Sequence, residues 1–480
     1  MDKNYHTPLY WLLSLLLCGC ASSAKYNESE INTPTNWQSI EFDSERYTDW
    51  VLKSRESDWL NYFKENETLQ SLIKSALLGN QDIAIAASRV ALAQAELKSI
   101  NANRLPFVNG SLNNNRQKIN SFGPTSINNA ITYENYVGSL GLRWEIDLWG
   151  SLRNQTKANL AILESNEATL QFAKMSIASQ IVKTWLSIMH TSGQLQLLEK
   201  HLELQSFYLK STEERYIKGL IFTEALLTEK SKTEKLKESF NQLNLEKDKL
   251  KRSLSVLTGN YPLSESLIYS PLPEIISPIP AGIPSEILNH RPDIRAMERQ
   301  LASSNERLVS IRKEVFPKLS LTGNSGYAST ELSSLLKNQN AVWSVATSMA
   351  QPLINFGSIK AKIKASEANH EENRAQYKKV ILNAFKEVEN ALSNESYYLD
   401  LKKSSNLILC QNHRIADITK SKYINGNAEF LDFLNAQIRL LKSKQENLKI
   451  QHDHLQNRIN LHLALGYSFN ERPQLIVSVL

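Results

Sequence analysis

Hydrophobic positions along this chain follow two distinct periods. Leu195, Leu198 and Leu202 recur at helical spacing, as do Val380, Ala384, Val388 and Ala391, and the positions between them are dense in Lys, Glu, Asn and Gln. Such a stripe marks a helix with one buried face. Between Leu152 and Arg215 there is no proline, and Gly193 is the one glycine. A helix of about 60 residues rises about 90 Å. A rod of that length needs partners along it, so a coiled-coil-like bundle is expected.

Elsewhere the period is two. In Tyr136–Leu148 one face carries Tyr136, Leu140, Leu142, Trp144, Ile146 and Leu148, and the other Ser139, Arg143, Glu145 and Asp147. Leu319, Leu321 and Tyr327 alternate with Ser320, Thr322 and Asn324; Trp343, Val345 and Met349 alternate with Ser344, Ala346 and Ser348. Phe107–Asn115 is the weakest of the four strands. Apolar and polar faces alternating this way suit a half-exposed soluble sheet or a water-filled membrane barrel.

The pattern is written twice. Asp147-Leu148-Trp149-Gly150-Ser151 answers Ile354-Asn355-Phe356-Gly357-Ser358. Arg215-Tyr216-Ile217-Lys218-Gly219 answers Lys422-Tyr423-Ile424-Asn425-Gly426, and Val256-Leu257-Thr258-Gly259 answers Leu463-Ala464-Leu465-Gly466. These pairs share an offset of 207 residues; Arg104-Leu105-Pro106-Phe107-Val108 answers Val315-Phe316-Pro317-Lys318-Leu319 at 211. Four ordered pairs in nearly one register indicate an internal repeat. Each half is predicted to run helix (Leu69–Asn103; Pro284–Glu314), two strands, a very long helix, a glycine turn and a returning helix. Pro106 and Pro317 end the first helix of each half. The resulting organisation is 1–19 signal, 20–66 extension, 67–270 first repeat, 271–283 proline-rich connector, 284–470 second repeat and 471–480 tail.

The N-terminus reads as a secretory signal: Lys3, then an apolar run from Leu9 to Cys18. The run is too short for a spanning helix, which needs about 20 residues. Leu17-Cys18-Gly19-Cys20 resembles the lipobox of bacterial lipoproteins, with Cys20 as the residue acylated. No Asp follows Cys20, which favours the outer membrane. With no other long apolar stretch, a membrane-integral chain must span as strands, because only helices and closed barrels satisfy the backbone in lipid. Four strands leave two open edges, and the smallest transmembrane barrels have eight. A barrel must therefore be shared among chains; two copies give eight strands and three give twelve.

Composition adds mainly exclusions. The 55 basic and 49 acidic residues are interspersed, so the net charge of +6 gives little reason to expect a nucleic-acid partner. The three cysteines are Cys18, Cys20 and Cys410, which leaves Cys410 alone in a mature chain and reads as a buried structural thiol. His452, His454 and His462 read as solvated helix histidines rather than metal ligands, since residues two apart face different ways. Glu213-Glu214 and Glu371-Glu372 are neighbours on charged faces, not convergent acids. No phosphate loop or nucleophile elbow occurs. The reading is of no enzyme, no metal site and no cofactor beyond covalent lipid on Cys20.

These landmarks together resemble the TolC-type outer-membrane efflux family, in particular its lipoprotein (NodT-like) branch. The resemblance spans about Ser57 to Gly466. Its motifs are Trp144-Glu145-Ile146-Asp147-Leu148-Trp149-Gly150; Leu288-Asn289-His290-Arg291-Pro292-Asp293-Ile294; Pro352-Leu353-Ile354-Asn355-Phe356-Gly357; and Ala384-Phe385-Lys386-Glu387-Val388-Glu389-Asn390-Ala391-Leu392. It implies a homotrimer in which four strands per chain build one shared twelve-stranded outer-membrane barrel, continued by a helical barrel into the periplasm. It implies a passive exit duct served by a periplasmic adaptor and an inner-membrane pump. Gly219, Leu220, Thr223, Gly426 and Asn427 would lie at the periplasmic tip as adaptor contacts. Leu431 and Asn435 would constrict the pore; several relatives carry Asp where Asn435 stands, and Asn supplies no fixed charge. Asp432 or Glu429 would be the substitute carboxylates, but helical spacing places them on other faces. The competing reading is a periplasmic coiled-coil scaffold lipoprotein without a pore, which leaves the strand hairpins and the repeat unexplained.

Overall fold

The structure is a computed structural model that describes residue 37 and residues 66–120, 130–263, 268–275 and 290–466. The signal, Cys20, nearly all of the extension, most of the connector and the 471–480 tail lie outside the described residues. The described elements are α1 (Glu67–Gly79), α2 (Gln81–Ala102), β1 (Phe107–Asn120), β2 (Ala130–Ile146), α3 (Ser151–Ile217), α4 (Thr223–Leu257), α5 (Pro292–Lys313), β3 (Lys318–Ser329), β4 (Ala341–Ala350), α6 (Ser358–Ile424) and α7 (Phe430–Leu465). They fall into two compact units. One is built from Leu92–Glu164 and Glu298–Gln376; the other has Ser165–Met297 and Tyr377–Leu480, with Trp37 and residues 66–91.

The first unit holds one antiparallel sheet in the order β1-β2-β3-β4. Its register places Val108 opposite Leu142, Trp144 opposite Leu321, and Leu319 opposite Met349. The apolar sets of all four strands therefore share one face, as the alternation predicts. The polar face carries the matched hydroxyl pairs Ser111–Ser139 (3.1 Å) and Ser320–Ser348 (2.7 Å). The repeat extends to the register itself. Phe107 faces Arg143 in the first hairpin and Lys318 faces Ala350 in the second, which are the same positions displaced by 211 and 207.

The second unit has a helical core of Leu69, Ile73, Ile181, Trp185, Leu186, Met189, Leu254, Leu257 and Ile459. The connector is tied to it: Leu272 is buried, and Gln451 Nε2 donates to the carbonyls of Leu272 and Pro273, both at 3.1 Å. Trp37 is also buried, its ring edge-on to Phe385 at 6.2 Å.

Four sequence expectations need correction. The helix expected over Leu69–Asn103 is two helices, α1 and α2, broken at Asn80. Asn80 Oδ1 accepts the first N–H groups of α2, from Asp82 (2.9 Å) and Ile83 (3.2 Å). Its Nδ2 donates to the carbonyl of Leu257 (2.9 Å). The strand expected over Tyr136–Leu148 runs Ala130–Ile146, because Asp147 leaves the sheet to cap α3. His454 and His462 are buried, and His452 is mostly covered, rather than solvated. Cys410 is exposed rather than buried.

Candidate functional site

The two edges of the sheet differ from its middle. β2 and β3 are paired on both sides, whereas β1 and β4 each have a single partner strand among the described residues. Every residue of β4 is exposed, including Val342, Trp343, Val345 and Met349. An apolar strand with both faces and one edge open is unstable in water and prone to pair.

Where β2 turns into α3, a set of contacts fixes the corner. Asp147 accepts from the backbone N–H of Leu152 (3.1 Å) and Arg153 (2.8 Å), satisfying the helix start. The Trp149 ring stacks on Phe316 with centroids 4.9 Å apart, and its Nε1 donates to the Pro317 carbonyl at 2.7 Å. Ser151 and Ser310 bond reciprocally, hydroxyl to hydroxyl at 3.0 Å and each hydroxyl to the other's carbonyl. Asn154 bridges Glu306 and Lys313.

The helix reversals carry the predicted tip residues. Gly219 (φ +68°) and Gly426 (φ +77°) both stand in the left-handed region. Gly219 N–H donates to Tyr216 and Leu220 N–H to Arg215, both at 2.9 Å; Gly426 donates to Tyr423 (3.0 Å) and Asn427 to Lys422 (2.8 Å). This is the glycine-terminated helix end known as the Schellman motif, made twice at equivalent positions. After the turns the halves diverge. Glu429 and Asp432 form a reciprocal capping box at the start of α7, so both carboxylates serve the helix end. The equivalent of Glu429 is Phe222, which makes no cap bond and is 88% exposed. Thr223, next to it, reaches the Tyr216 hydroxyl at 3.4 Å.

Leu431 (39% exposed) lies on the first turn of α7, and the exposed Asn435 lies one turn further on. Residues four apart share a helix face. Behind them is an aromatic cluster that the sequence reading missed. Phe430 contacts Phe207, Tyr208, Tyr423 and Phe433 with centroids 5.2 to 6.0 Å apart, and Tyr423 stacks on Phe433 at 5.4 Å. Aromatics at Tyr423, Phe430 and Phe433 in the repeat motif were the available signal.

Two buried polar groups fasten the second repeat. Arg291 grips Asp293 with two bonds (2.6 and 3.0 Å), Glu387 at 2.7 Å and the Ala464 carbonyl at 3.1 Å. With Asn390, Asn394 and Asn457 it lines a recess of about 440 Å³ whose walls also carry Phe172, Ala391 and Leu463. Further along, Glu395 accepts from His454 Nε2 (2.7 Å) and from Arg458 Nη2 (2.6 Å) and Nε (3.0 Å). Burial pushes the Glu395 carboxyl up, but the His454 hydrogen bond and the Arg458 charge outweigh it and hold the group below its ordinary value. Among the described residues no cluster of His, Cys, Asp and Glu is arranged for a metal, and no helix is long and apolar enough to cross a membrane.

A sequence profile described as outer membrane efflux protein matches residues 72–258 and 283–467, one match per repeat. The chain belongs to the outer membrane efflux protein family. The efflux protein is 24% identical to the cation efflux system protein CusC of Escherichia coli (strain K12) over 461 residues, covering 95% of this chain and 98% of that one. It is also 24% identical to the toluene efflux pump outer membrane protein TtgC of Pseudomonas putida over 464 residues, covering 96% and 95%. Among solved structures, the outer-membrane channel OprN superposes with a TM-score of 0.80 at 25% identity, covering 91% of this chain and 98% of that one. The Campylobacter jejuni CmeC outer membrane channel superposes at 0.83 with 23% identity, covering 93% and 95%. The efflux protein is thus an outer-membrane channel component of efflux systems. Relatives named for a cation and for toluene stand at the same 24% identity to it.

Proposed function

We propose that three copies of this chain form a passive duct through the outer membrane, with a shared twelve-stranded barrel continued by a helical barrel into the periplasm. One observation carries the reading: all four strands turn their apolar sets to one face, and β4 is open to solvent along its whole length. Lipid on that face and neighbouring strands on both edges would satisfy the apolar surface and the backbone together. Energy comes from elsewhere, since the duct is supplied by a periplasmic adaptor and an inner-membrane pump. The paired reversals at Gly219 and Gly426, with Leu220, Thr223 and Asn427, form the tip that meets the adaptor. Leu431 and Asn435 narrow the pore there. Cys20 carries the lipid anchor at the start of the 20–66 extension, followed by repeats over 67–270 and 284–470 and the strap 271–283.

The test is conductance in planar bilayers together with gel mobility before and after heating. A duct gives discrete ion-conducting steps and a heat-sensitive slow-migrating band. A scaffold lipoprotein gives neither, and that outcome ends the reading. The mass of the mature N-terminal peptide decides the acylation of Cys20.

A further inference from the structure

The recess beside Arg291 stands at a place that the fold makes twice. By the offsets of 211 and 207, Arg291 corresponds to Asn80 and Ala464 to Leu257. Both pairs make the same bond: Asn80 Nδ2 donates to the Leu257 carbonyl (2.9 Å), and Arg291 Nη1 donates to the Ala464 carbonyl (3.1 Å). Tying a helix start to a helix end therefore accounts for Arg291. It does not account for the carboxamides around it. Asn390, Asn394, Asn457 and Asn460 all line the recess, and their counterparts in the first repeat are Lys183, Ser187, Leu250 and Ser253. The first repeat builds the same helices with no carboxamide at any of these four positions, so the helix packing does not require them. Asn457 is buried, its Nδ2 donating to the Ala391 carbonyl (2.9 Å), and Asn460 accepts from Lys183 Nζ. Asn390 and Asn394, one turn apart on α6, are exposed and make no side-chain hydrogen bond among the described residues. Residues four apart share a helix face, so both amides are presented together.

The charges at the recess cancel. Arg291 is fully engaged by Asp293, Glu387 and the Ala464 carbonyl, and Lys183 stands at Asn460, so two cations face two carboxylates. Glu395, which also reaches Asn457 (3.4 Å), is matched by Arg458. A balanced recess favours a neutral ligand, because an ion would be desolvated without a free partner. The walls are helices, whose backbone groups are already bonded, so no peptide can add as a strand and recognition falls to the side chains. A carboxamide presents a donor and an acceptor in one plane. An acetamide group returns the same pair and brings a methyl for Ala391 and Leu463. A sugar ring adds hydroxyls at its edge and C–H groups on its face, and Phe172 offers that face a flat apolar wall. The volume of about 440 Å³ is within the range of small-molecule sites. Resting on the reading that the helical unit stands in the periplasm, we propose that this recess binds an N-acetylated sugar. Asn390 and Asn394 bond the acetamide and the neighbouring hydroxyls, and Phe172 takes the ring face. Such a sugar reaches this compartment as a soluble saccharide or as part of the N-acetylated glycan of the cell wall.

Calorimetric titration and saturation-transfer NMR of the full chain in detergent test this, with the N-acetylglucosamine trisaccharide as probe and the glucose trisaccharide of the same linkage as control. The probe should bind at least about tenfold more tightly than the control, which lacks the acetamide. Asn390→Ala with Asn394→Ala should weaken the probe at least about tenfold. Both positions are exposed, so the melting midpoint should stay that of the parent; Phe172→Ala is the second, independent variant and should weaken probe and control alike. Sedimentation with purified cell-wall sacculi separates the sources. Co-sedimentation that the double variant loses assigns the sugar to the wall, and binding of the probe without co-sedimentation assigns it to a soluble saccharide. No binding of the probe at millimolar concentration, or equal binding by parent and double variant, overturns the site. Conductance in planar bilayers reads the duct separately. A conducting protein that ignores the probe loses only the sugar site, and a probe-binding protein that does not conduct loses only the duct.

Discussion

Gly79 and Gly259 meet backbone to backbone: a Cβ added to Gly259 would lie 2.1 Å from the Gly79 carbonyl oxygen, and one added to Gly79 would lie 2.7 Å from the carbonyl of Thr258. This approach lets the α1–α2 break dock on the end of α4, where Asn80 reaches the Leu257 carbonyl. Gly259→Ala must therefore move backbone as well as strain a left-handed residue (φ +80°). A loss of about 1–3 kcal/mol is expected, read as a lowered midpoint of thermal unfolding by circular dichroism in detergent. Gly219→Ala, also left-handed but with nothing within 4 Å of an added Cβ, should cost only the backbone term of about 1–2 kcal/mol.

Glu395 is the hub of the buried group with His454 and Arg458. Removing one partner of a buried ion pair costs about 3–5 kcal/mol, because the other charge is left without compensation. Arg458→Met and Glu395→Leu should each destabilise on that order. The double variant should be less damaged than the sum, and a double-mutant cycle of melting midpoints measures the difference.

Acid should loosen the helical unit. His190 and His462 are both lowered to about 4, by burial first, then by the positive charge of His452 near His190 and of Arg458 near His462. A histidine ordinary in the unfolded chain, near 6.5, takes up its proton there before it does in the folded protein. Its contribution is thus present above 6.5 and lost as pH falls from about 6.5 to about 4. Glu395, held low in the folded state, loses its contribution as pH drops through the carboxylate range. Melting midpoints should fall steadily below pH 6.5, and His462→Leu should flatten the upper part of that slope. A slope unchanged in that variant would remove His462 from the account.

The capping box at Glu429 stabilises the start of α7 beside Leu431. Glu429→Ala should cost about 0.5–2 kcal/mol locally and speed amide hydrogen exchange over Phe430–Phe433. Exchange as slow as in the parent would mean the aromatic cluster around Phe430 alone holds the turn.

Leu431→Ser should raise single-channel conductance or change its gating, as a polar, smaller side chain replaces an apolar one at the proposed constriction. Unchanged conductance and gating would remove Leu431 from that role. Asn435→Asp tests the same stripe with a fixed charge and should increase cation selectivity.

Much of this protein was legible in its sequence for a simple reason: local periodicity and turn chemistry are written in neighbouring residues. The two strand hairpins, the proline stops at Pro106 and Pro317, the left-handed Gly219 and Gly426 and the internal repeat all follow from patterns a few residues wide or from comparing the halves. Burial on the long rods was different. A helix residue is covered or open according to which other helix lies beside it, so pattern alone points to solvated His454 and His462 and a buried Cys410, each the reverse of what the structure places. The break at Asn80 depended on Leu257, 177 residues away, although Gly79-Asn80 was a visible breaker. The capping of α7 by Glu429 and Asp432 decided that these carboxylates serve a helix end. The sequence by itself determined the elements, their order and their duplication. Only the tertiary structure decided which faces meet, because packing is settled between segments far apart in the chain.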